Sequence, residues 1–332
     1  MAGLFGTLTF DQTPVIGATL DDIDLRDVEQ HIRYSRDQAR YQGIVFDPIP
    51  FLVEHQAVVE IEKVVIPTVA GVLFFGIHPQ RFLPYATSKL AHYRSDAINS
   101  NDVRHIQEYV GNVRQQVDQV VEYLASHIER GYVLDGGAQR QERPQYPPTA
   151  LRELTVNAVA HRDYTVMGSS IRIAMFPNRI EWTSPGTLPA GITPENILGM
   201  QNARNPHLTK LLYQRGYVEA YGQGLDTVFN LLRDQQLPAP TMQETGDAFV
   251  IAIEGHSPSG IGAERLTGLT DPQLQIVALL RQRSRSAPEI YAALMPRSER
   301  SVQYDLKLLL DQGLVTRQGK GRAITYTLAA AE

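Results

Sequence analysis

Residues 150–164 read A-L-R-E-L-T-V-N-A-V-A-H-R-D-Y, and the rest of the chain is organised around this stretch. Its apolar residues recur at helical spacing and predict a helix with one buried face: Leu151, Leu154, Ala158 and Val159. Glu153, Asn157 and His161 follow at four-residue intervals, so their side chains line up beside that face. An amide oxygen can ligate Mg²⁺, and a carboxylate one turn earlier can polarise water. The alternative interpretation is a solvated helix face.

The composition is that of an ordinary globular protein. The 332 residues are 43% hydrophobic and 20% charged, with a mean hydropathy of -0.22, and this length predicts two or three domains. No apolar run approaches the roughly 20 residues that span a bilayer, and no basic start precedes an apolar N-terminal stretch. The absence of cysteine excludes disulfides, thiolate metal sites and a cysteine nucleophile. We therefore expect a cytoplasmic protein without membrane contact.

The net charge of -5 is unevenly distributed. Residues 265–332 carry ten Lys or Arg against six Asp or Glu, whereas the preceding residues carry an acidic excess. A basic segment on an acidic body indicates an anionic partner for that segment.

Hydrophobic periodicity predicts the elements before the central helix. A helix is predicted over 20–42, strands over 58–65, 68–75 and 89–94, and one long helix over 102–130. Residues 131–148 are rich in Gly and Pro and predict a linker or a loop at a strand edge. This part of the chain is interpreted as an N-terminal α/β region, 1–148.

Hydrophobic periodicity also predicts a second α/β segment, 149–255. Residues 170–176 and 179–183 alternate apolar side chains around a Pro-Asn turn and predict a hairpin. Helices are predicted over 193–200, 207–215 and 225–235, and a strand over 248–253. Residues 256–268 are rich in Gly and Ser and predict a linker to a last domain, 269–332.

Three features of this segment indicate a phosphate-bearing ligand. They are the Glu153/Asn157 helix, a strand that ends at Pro185-Gly186, and Gly222-Gln223-Gly224 before a helix. Glycines at a helix start permit close backbone approach, and the unpaired N–H groups there favour phosphate. A Gly-x-Gly pair alone is more often a turn or cap, so only the combination predicts a nucleotide site.

Four motifs resemble one known family. They are RELTVNAVAHRDY at 152–164, RIEWTSPGTLP at 179–189, RNP at 204–206 and EAYGQGLDTVF at 219–229. In this order and spacing they resemble the variant GHKL-type ATPase domain of transcriptional regulators labelled RecG-like, many of which carry an N-terminal AlbA (Schlafen-type) domain. That AlbA domain is expected to be missing here. The resemblance implies a Bergerat-type α/β sandwich that binds ATP and Mg²⁺.

The resemblance also implies roles for individual residues. Asn157 would ligate Mg²⁺, and Glu153 would be the candidate water-activating base. Gly186, Gly222 and Gly224 would line the nucleotide, and residues 200–220 would form a lid over it. His161 and Asp163, which close the central helix, are open to two interpretations, nucleotide contact or structural hydrogen bonding.

Two departures from the family pattern bear on catalysis. Ser184 stands where active GHKL enzymes carry the Asp that reads the adenine amino group. No lysine from a following domain is available for the γ-phosphate, although Arg204 or Lys210 can substitute for it. We therefore expect nucleotide binding rather than turnover. Two alternatives stay open, an ATP-hydrolysing enzyme of DNA metabolism and a nucleotide-free dimerisation scaffold. The chain has no G-x-x-x-x-G-K-[ST] loop, so the RecG-like label does not make it a helicase.

Residues 269–328 resemble a winged helix-turn-helix. Three predicted helices, the third capped by Ser298, precede two strands around a Gly-Lys-Gly turn. In that motif the third helix enters the major groove of double-stranded DNA. The candidate contacts on this helix are Arg297, Ser298, Arg300, Ser301, Gln303 and Tyr304, and those on the wing are Arg317, Lys320 and Arg322. The alternative is a module for protein contacts.

These features together predict a DNA-binding transcriptional regulator with a nucleotide-binding domain. A homodimer is expected, because winged-helix readers commonly bind paired half-sites.

Overall fold

The computed structural model describes residues 8–128, 130–134, 140–200, 202–218, 224–256, 269–282, 284–319 and 324–329. The chain forms two compact units. The first consists of Met1–Arg130 and Pro144–Gly255, and the second of Gly131–Arg143 and His256–Glu332.

Both helices and strands occur throughout the described part of the first 255 residues. The helices are α1 (Leu25–Asp37), α2 (Pro48–Glu54), α3 (Val69–Phe75), α4 (Val113–His127), α5 (Pro148–Ala160), α6 (Pro206–Gln214) and α7 (Gly224–Asp234). The strands are β1 (Val58–Ile61), β2 (Val64–Pro67), β3 (Ser88–Tyr93), β4 (Val103–Tyr109), β5 (Arg130–Leu134), β6 (Arg140–Pro144), β7 (Ile171–Met175), β8 (Arg179–Pro185), β9 (Thr241–Thr245) and β10 (Ala248–Glu254). Short 3₁₀ turns lie at Phe10–Gln12, Leu20–Asp22, Pro79–Arg81, Ser100–Asp102 and Ile197–Gly199.

A six-stranded mixed sheet forms the centre of the first unit. Its order is β4-β3-β7-β8-β10-β9, and of these neighbours only β3 and β7 run parallel. One buried row crosses four strands in register: Leu90, Ile173, Trp182 and Ile251. Helix α5 packs against β8 and is flanked by α4 and α7. This arrangement confirms the predicted α/β class.

The predicted strand over 68–75 is wrong, because this segment is helix α3. Every residue of α3 is buried, and the Thr68 hydroxyl caps it by accepting a hydrogen bond from the Gly71 N–H at 3.3 Å. A short, wholly apolar run has no polar face, so its periodicity cannot distinguish a buried helix from a buried strand.

The predicted single helix over 102–130 is also wrong, because it divides into β4 and α4. Gly111 turns the chain with φ +96°, and Asn112 then starts α4 with a capping box to Gln115. The predicted helix over 20–42 likewise divides, since the Asp24 carboxylate caps α1 and separates it from a 3₁₀ turn. The segment predicted as a linker, 131–148, contains much of the β5–β6 sheet.

The elements after the central helix agree better with the sequence prediction. The hairpin is confirmed as β7 and β8, and the predicted helices and strand are confirmed as α6, α7 and β10. In place of the helix predicted over 193–200 there is only the turn Ile197–Gly199, and strand β9 was not predicted.

The second unit contains α8 (Asp271–Gln282), β11 (Arg285–Ser286), α9 (Ala287–Ala293), α10 (Glu299–Asp311), β12 (Val315–Gln318) and β13 (Thr325–Leu328). These three strands form an antiparallel sheet in the order β11-β13-β12, and most of the separate β5–β6 sheet also belongs to this unit. Its core is apolar and draws on all three helices: Ile276, Val277, Leu280, Ile290, Val302, Leu306 and Leu309. The winged-helix interpretation of this unit stays a prediction.

None of the helices in the described part of the chain has both the length and the apolar character that a bilayer crossing requires.

Candidate functional site

Helix α5 places the predicted polar stripe at the border of the core. Leu151 and Leu154 are buried on its apolar face. Glu153 is only 6% exposed, Asn157 is half-buried, and His161 lies just beyond the last turn. Glu153 and Asn157 therefore do not lie on a fully solvated helix face, whereas His161 is exposed.

Gly224 brings the start of α7 against this stripe. A Cβ atom at position 224 would lie 2.6 Å from Glu153 Oε2 and 3.7 Å from both Asn157 amide atoms. Residues other than glycine therefore do not fit without a shift of the buried Glu153 carboxylate. The structure thus brings Glu153, Asn157 and Gly224 together, while Gly222 lies outside the described residues.

A cavity of about 640 Å³ opens beside these residues. Helix α5 and the residue after it supply Asn157, Ala158 and His161. The sheet supplies Trp182, Ser184, Phe249 and Ile251, and the segment after β8 supplies Gly186, Leu188, Ile192, Met200 and Arg204. Helices α6 and α7 close it with Lys210, Tyr213, Gly224 and Leu225. No Asp or Glu lines it among the described residues, so its walls are apolar with a positive balance.

Ser184 has a defined hydrogen-bonding role in the cavity wall. Its hydroxyl donates to the Ala158 carbonyl at 2.9 Å, so its remaining capacity is as an acceptor. Beside it, the Trp182 Nε1–H donates to the Thr155 hydroxyl at 3.0 Å, which anchors the sheet to α5. A ligand N–H group can therefore be accepted at Ser184 without a charged side chain.

Asp163 and Arg204 brace the two segments that border the cavity. The Asp163 carboxylate accepts from Arg204 at 2.8 Å, and from the Thr165 N–H at 2.9 Å. Arg204 also donates to the Thr187 carbonyl. Gly186 has φ +106°, and a Cβ there would lie 2.5 Å from the Asp163 Cβ. The structure therefore gives Asp163 and Arg204 structural partners, and Gly186 permits a close approach of two segments.

His161 lines the cavity, and its side chain is exposed there although many protein atoms lie near it. Burial, with a smaller contribution from the nearby Arg204, lowers its pKa to about 4. The imidazole is therefore neutral at pH 7 and can donate or accept one hydrogen bond to a ligand.

Asn205 of the RNP motif ties the start of α6 to the end of α5. Its amide donates to the carbonyls of Ala160 and Arg162 at 2.9 and 2.8 Å, and the side chain is 1% exposed. These bonds use the Nδ2 donor, and the Asn205 side chain makes no cap hydrogen bond to α6.

The cap of α6 comes from the distant residue Asp11. Its carboxylate, fully buried, accepts from the N–H groups of His207 and Leu208 at 2.8 and 3.1 Å. Sequence reasoning missed this contact because the two partners lie almost 200 residues apart. The only local signal was an acidic residue in an N-terminal turn.

Two buried histidines hold the other end of α6. His31 Nε2 donates to Gln214 Oε1 at 3.1 Å, and Gln214 Nε2 donates to His55 Nε2 at 2.8 Å. His55 Nδ1 in turn donates to the Phe51 carbonyl at 2.9 Å. Burial lowers the pKa of His31 to about 3 and that of His55 to about 4, so both are neutral. Helix α6, although inside the predicted lid, is a fixed wall of the cavity.

Helix α10 of the second unit presents most of the predicted DNA contacts to solvent. Arg300, Ser301, Gln303 and Tyr304 are exposed, and Tyr304 is 64% exposed. Ser298 is the N-cap and accepts from the Ser301 N–H at 3.3 Å.

The remaining predicted contacts differ in their surroundings. Arg297 forms an ion pair with Asp305 at 2.5 Å and donates to the Ser301 hydroxyl at 3.0 Å, so its guanidinium is engaged within the unit. Arg317 is exposed on β12. Lys320 and Arg322 lie outside the described residues.

The described residues contain no group of three or more His, Asp or Glu side chains that could hold a metal ion by themselves. A Mg²⁺ ion at Asn157 would depend on oxygens supplied by a ligand, as is usual for Mg²⁺ bound with phosphates.

One family match and one similar solved structure come from comparisons with known proteins. Residues 168–253 match the family described as "Putative ATP-dependent DNA helicase recG C-terminal". The crystal structure of the DIP2311 protein from Corynebacterium diphtheriae is similar at 20% identity and a TM-score of 0.59, over 96% of this chain and 64% of that one. The chain thus spans less than two thirds of that structure, and the likeness shows the fold alone. A comparison with curated proteins gives no match. The first unit therefore contains an ATPase-like domain similar to that of RecG-type proteins.

Proposed function

We propose that this protein is a DNA-binding transcriptional regulator whose first unit binds ATP with Mg²⁺. The observation that carries the proposal is the convergence of Glu153, Asn157 and Gly224 beside a cavity of about 640 Å³. Binding sites for small ligands are commonly concave, largely apolar and of this size.

The chemistry of the walls supports a nucleotide. Apolar side chains such as Trp182 and Phe249 suit a planar base, and Ser184 offers a neutral acceptor for a base N–H group. The absence of Asp and Glu from the described lining, together with Arg204 and Lys210, favours an anionic ligand. When bound, Mg²⁺ would supply charge neutralisation to phosphate oxygens, with the Asn157 amide oxygen as its protein ligand.

Binding rather than turnover is the role that Glu153 supports. This residue borders Asn157 and Gly224 but does not line the cavity, and a general base must be within hydrogen-bond reach of the water it activates. An ATP-hydrolysing enzyme therefore ranks behind a nucleotide-responsive regulator.

Titration of the protein with a fluorescent ATP analogue, with and without Mg²⁺, tests the proposed site. We expect saturable binding that Asn157→Ala weakens at least tenfold, because the protein ligand to the cation is lost. Gln119→Ala, a polar-to-Ala change at an exposed position of α4 outside the cavity, is the matched control and should bind like the parent. Absence of binding, or equal binding by Asn157→Ala, would contradict the proposal.

DNA binding is proposed for the exposed face of α10. Arg300 and Gln303 are of the side-chain types that pair with guanine and adenine edges, and Arg317 on β12 can meet phosphate. Gel-shift assays with genomic fragments over a salt series test this, and affinity should fall as salt rises. Undetectable or salt-independent binding at low salt would contradict it.

Regulation by nucleotide and a homodimeric state complete the proposal. If ATP acts as a signal, DNA affinity measured with and without saturating ATP should differ, since allostery is a coupling free energy between two sites. Sedimentation equilibrium at micromolar concentration tests the dimer, and a mass of one chain would contradict it.

A further inference from the structure

Two fixed positive charges line the cavity in the described chain, Arg204 and Lys210, and their surroundings differ. The Arg204 guanidinium contacts the Asp163 carboxylate and the Thr187 carbonyl, and its side chain is 24% exposed. An anion that recruited Arg204 would have to break this brace and leave Asp163 without its cation. Arg204 is therefore a poor group for neutralising a ligand.

Lys210 is in the opposite situation. It is exposed, it lines the cavity, and none of the ion pairs among the described residues includes it. No carboxylate of the described lining residues can compete with a ligand for it. An ammonium group without an internal partner is free to pair with an anion that enters the cavity.

The backbone that carries Lys210 is fixed. Helix α6 is capped by Asp11 at its first turn and held by Gln214 near its last, and its Leu208, Leu211 and Leu212 are fully buried. Lys210 is close enough to the buried His55 to influence its titration. His55 is neutral at pH 7, so it adds no second positive charge near Lys210. A fixed backbone lowers the ordering cost when the side chain pairs with a ligand.

We propose that Lys210 Nζ is the group that binds the anionic, polyphosphate end of the ligand, and that Arg204 is a structural brace. This inference rests on the proposed nucleotide site and assigns its phosphate-binding cation. Lysine binds phosphate as a point charge, so it needs no fixed geometry beyond the reach of its side chain.

The test compares three probes on the full chain by calorimetric titration: ATP, adenosine and inorganic tripolyphosphate. Lys210→Gln should weaken ATP and tripolyphosphate about tenfold or more and leave adenosine affinity unchanged, because only the charged end loses its partner. Lys210→Arg should retain most of the ATP affinity. Arg204→Gln should weaken ATP and adenosine alike, because it loosens the wall. Lys63→Gln, an exposed lysine of the β1–β2 turn outside the cavity, is the matched control.

The outcomes separate this inference from the proposed function. If ATP binds equally to the parent and to Lys210→Gln, or if adenosine weakens as much as ATP, the assignment of Lys210 is wrong and the nucleotide site stands. If tripolyphosphate binds in a Lys210-dependent way but ATP does not bind, the anion site stands and the nucleotide proposal is wrong. If no probe binds the parent, both are wrong. Thermal unfolding followed by Trp182 fluorescence checks that each variant is folded.

Discussion

The two units differ in where the polar side chains of their candidate sites lie. In the first unit, several polar groups are at most 6% exposed: Asp11, His31, Glu153, Arg162, Asn205 and Gln214. In the second unit, α10 presents Arg300, Gln303 and Tyr304 to solvent over an apolar core. A buried polar group needs its partner to offset the loss of hydration, whereas an exposed one does not. Stability and binding should therefore change together in the first unit and separately in the second.

The largest expected effect is a loss of folding stability of the first unit at acidic pH. His31 and His55 have pKa values lowered to about 3 and about 4 by burial, whereas in the unfolded chain they titrate near their ordinary value. Between about pH 4 and pH 6.5 the two histidines bind protons in the unfolded chain but not in the folded chain. Their contribution to the free energy of unfolding is therefore fully present above about pH 6.5 and decreases as the pH falls. We expect these two groups to remove about 4 kcal/mol from the free energy of unfolding between pH 7.5 and pH 5.

Urea denaturation at several pH values measures this effect. The single tryptophan, Trp182, is buried in the first unit, so its fluorescence reports that unit alone. Residues 269–332 contain no histidine, so a calorimetric transition of the second unit should change little over the same range. Replacement of the exposed His127 by Gln should leave the slope as it is. A flat pH profile of the Trp182 signal would contradict the prediction.

Gly224→Ala should cost the first unit about 2 kcal/mol and weaken nucleotide binding together. The new Cβ would lie 2.6 Å from Glu153 Oε2, and this carboxylate is buried. The double variant Glu153→Ala with Gly224→Ala removes the clash, so its stability loss should be smaller than the sum of the single losses. Additive losses would show that the two residues do not interact. Urea denaturation and titration with the ATP analogue provide both measurements.

Asp11→Ala should cost about 1–2 kcal/mol, because it removes the cap of α6 and leaves two N–H groups without an acceptor. The same change at the exposed Asp21 should stay within about 0.5 kcal/mol. Equal effects of the two variants in urea denaturation would show that the cap contributes nothing specific.

The smallest effects on stability are expected around the start of α10, where two arginines have different surroundings. Arg297→Ala should destabilise the second unit by about 1 kcal/mol, because it leaves the 7% exposed Asp305 without its ion pair. Arg300→Ala should stay within about 0.5 kcal/mol but weaken DNA binding and reduce its salt dependence. Calorimetry and gel shifts separate the two. A large stability loss in Arg300→Ala would contradict the surface role of this residue.

The sequence predicted the second half of the first unit better than the first half. Along helix α5 and the β7–β8 hairpin the apolar residues recur at helical and at strand spacing respectively, so the sequence pattern identifies each type of element. Helix α3 is buried on every side. In β4 and the residue after it, the spacing of Val103, Ile106 and Val110 matches that of a helix. Only Gly111 and Asn112 mark the boundary to α4, and such turn signals are easily outweighed by an apolar pattern.

The candidate site was predictable where its residues share one helix. Glu153 and Asn157 stand one turn apart, so their proximity follows from helix geometry, and Gly224 joins them as the predicted glycine start of the next helix. The sequence did not show that Asp163 and Arg204 pair, or that Asp11 caps α6, because such contacts depend on the tertiary fold. It also left Arg204 and Lys210 as equal candidates, which the structure distinguishes by the hydrogen bonds and ion pair of Arg204 and by the exposure of Lys210.

The parallel seam between β3 and β7 divides the six-stranded sheet into two antiparallel parts, of two and four strands. The family match, 168–253, covers only the four-strand part and leaves out α5. A fragment cut to that match would expose the β7 edge to self-association and would lack Glu153 and Asn157. Biochemical work on this protein should therefore keep the two-strand part and the match in one polypeptide.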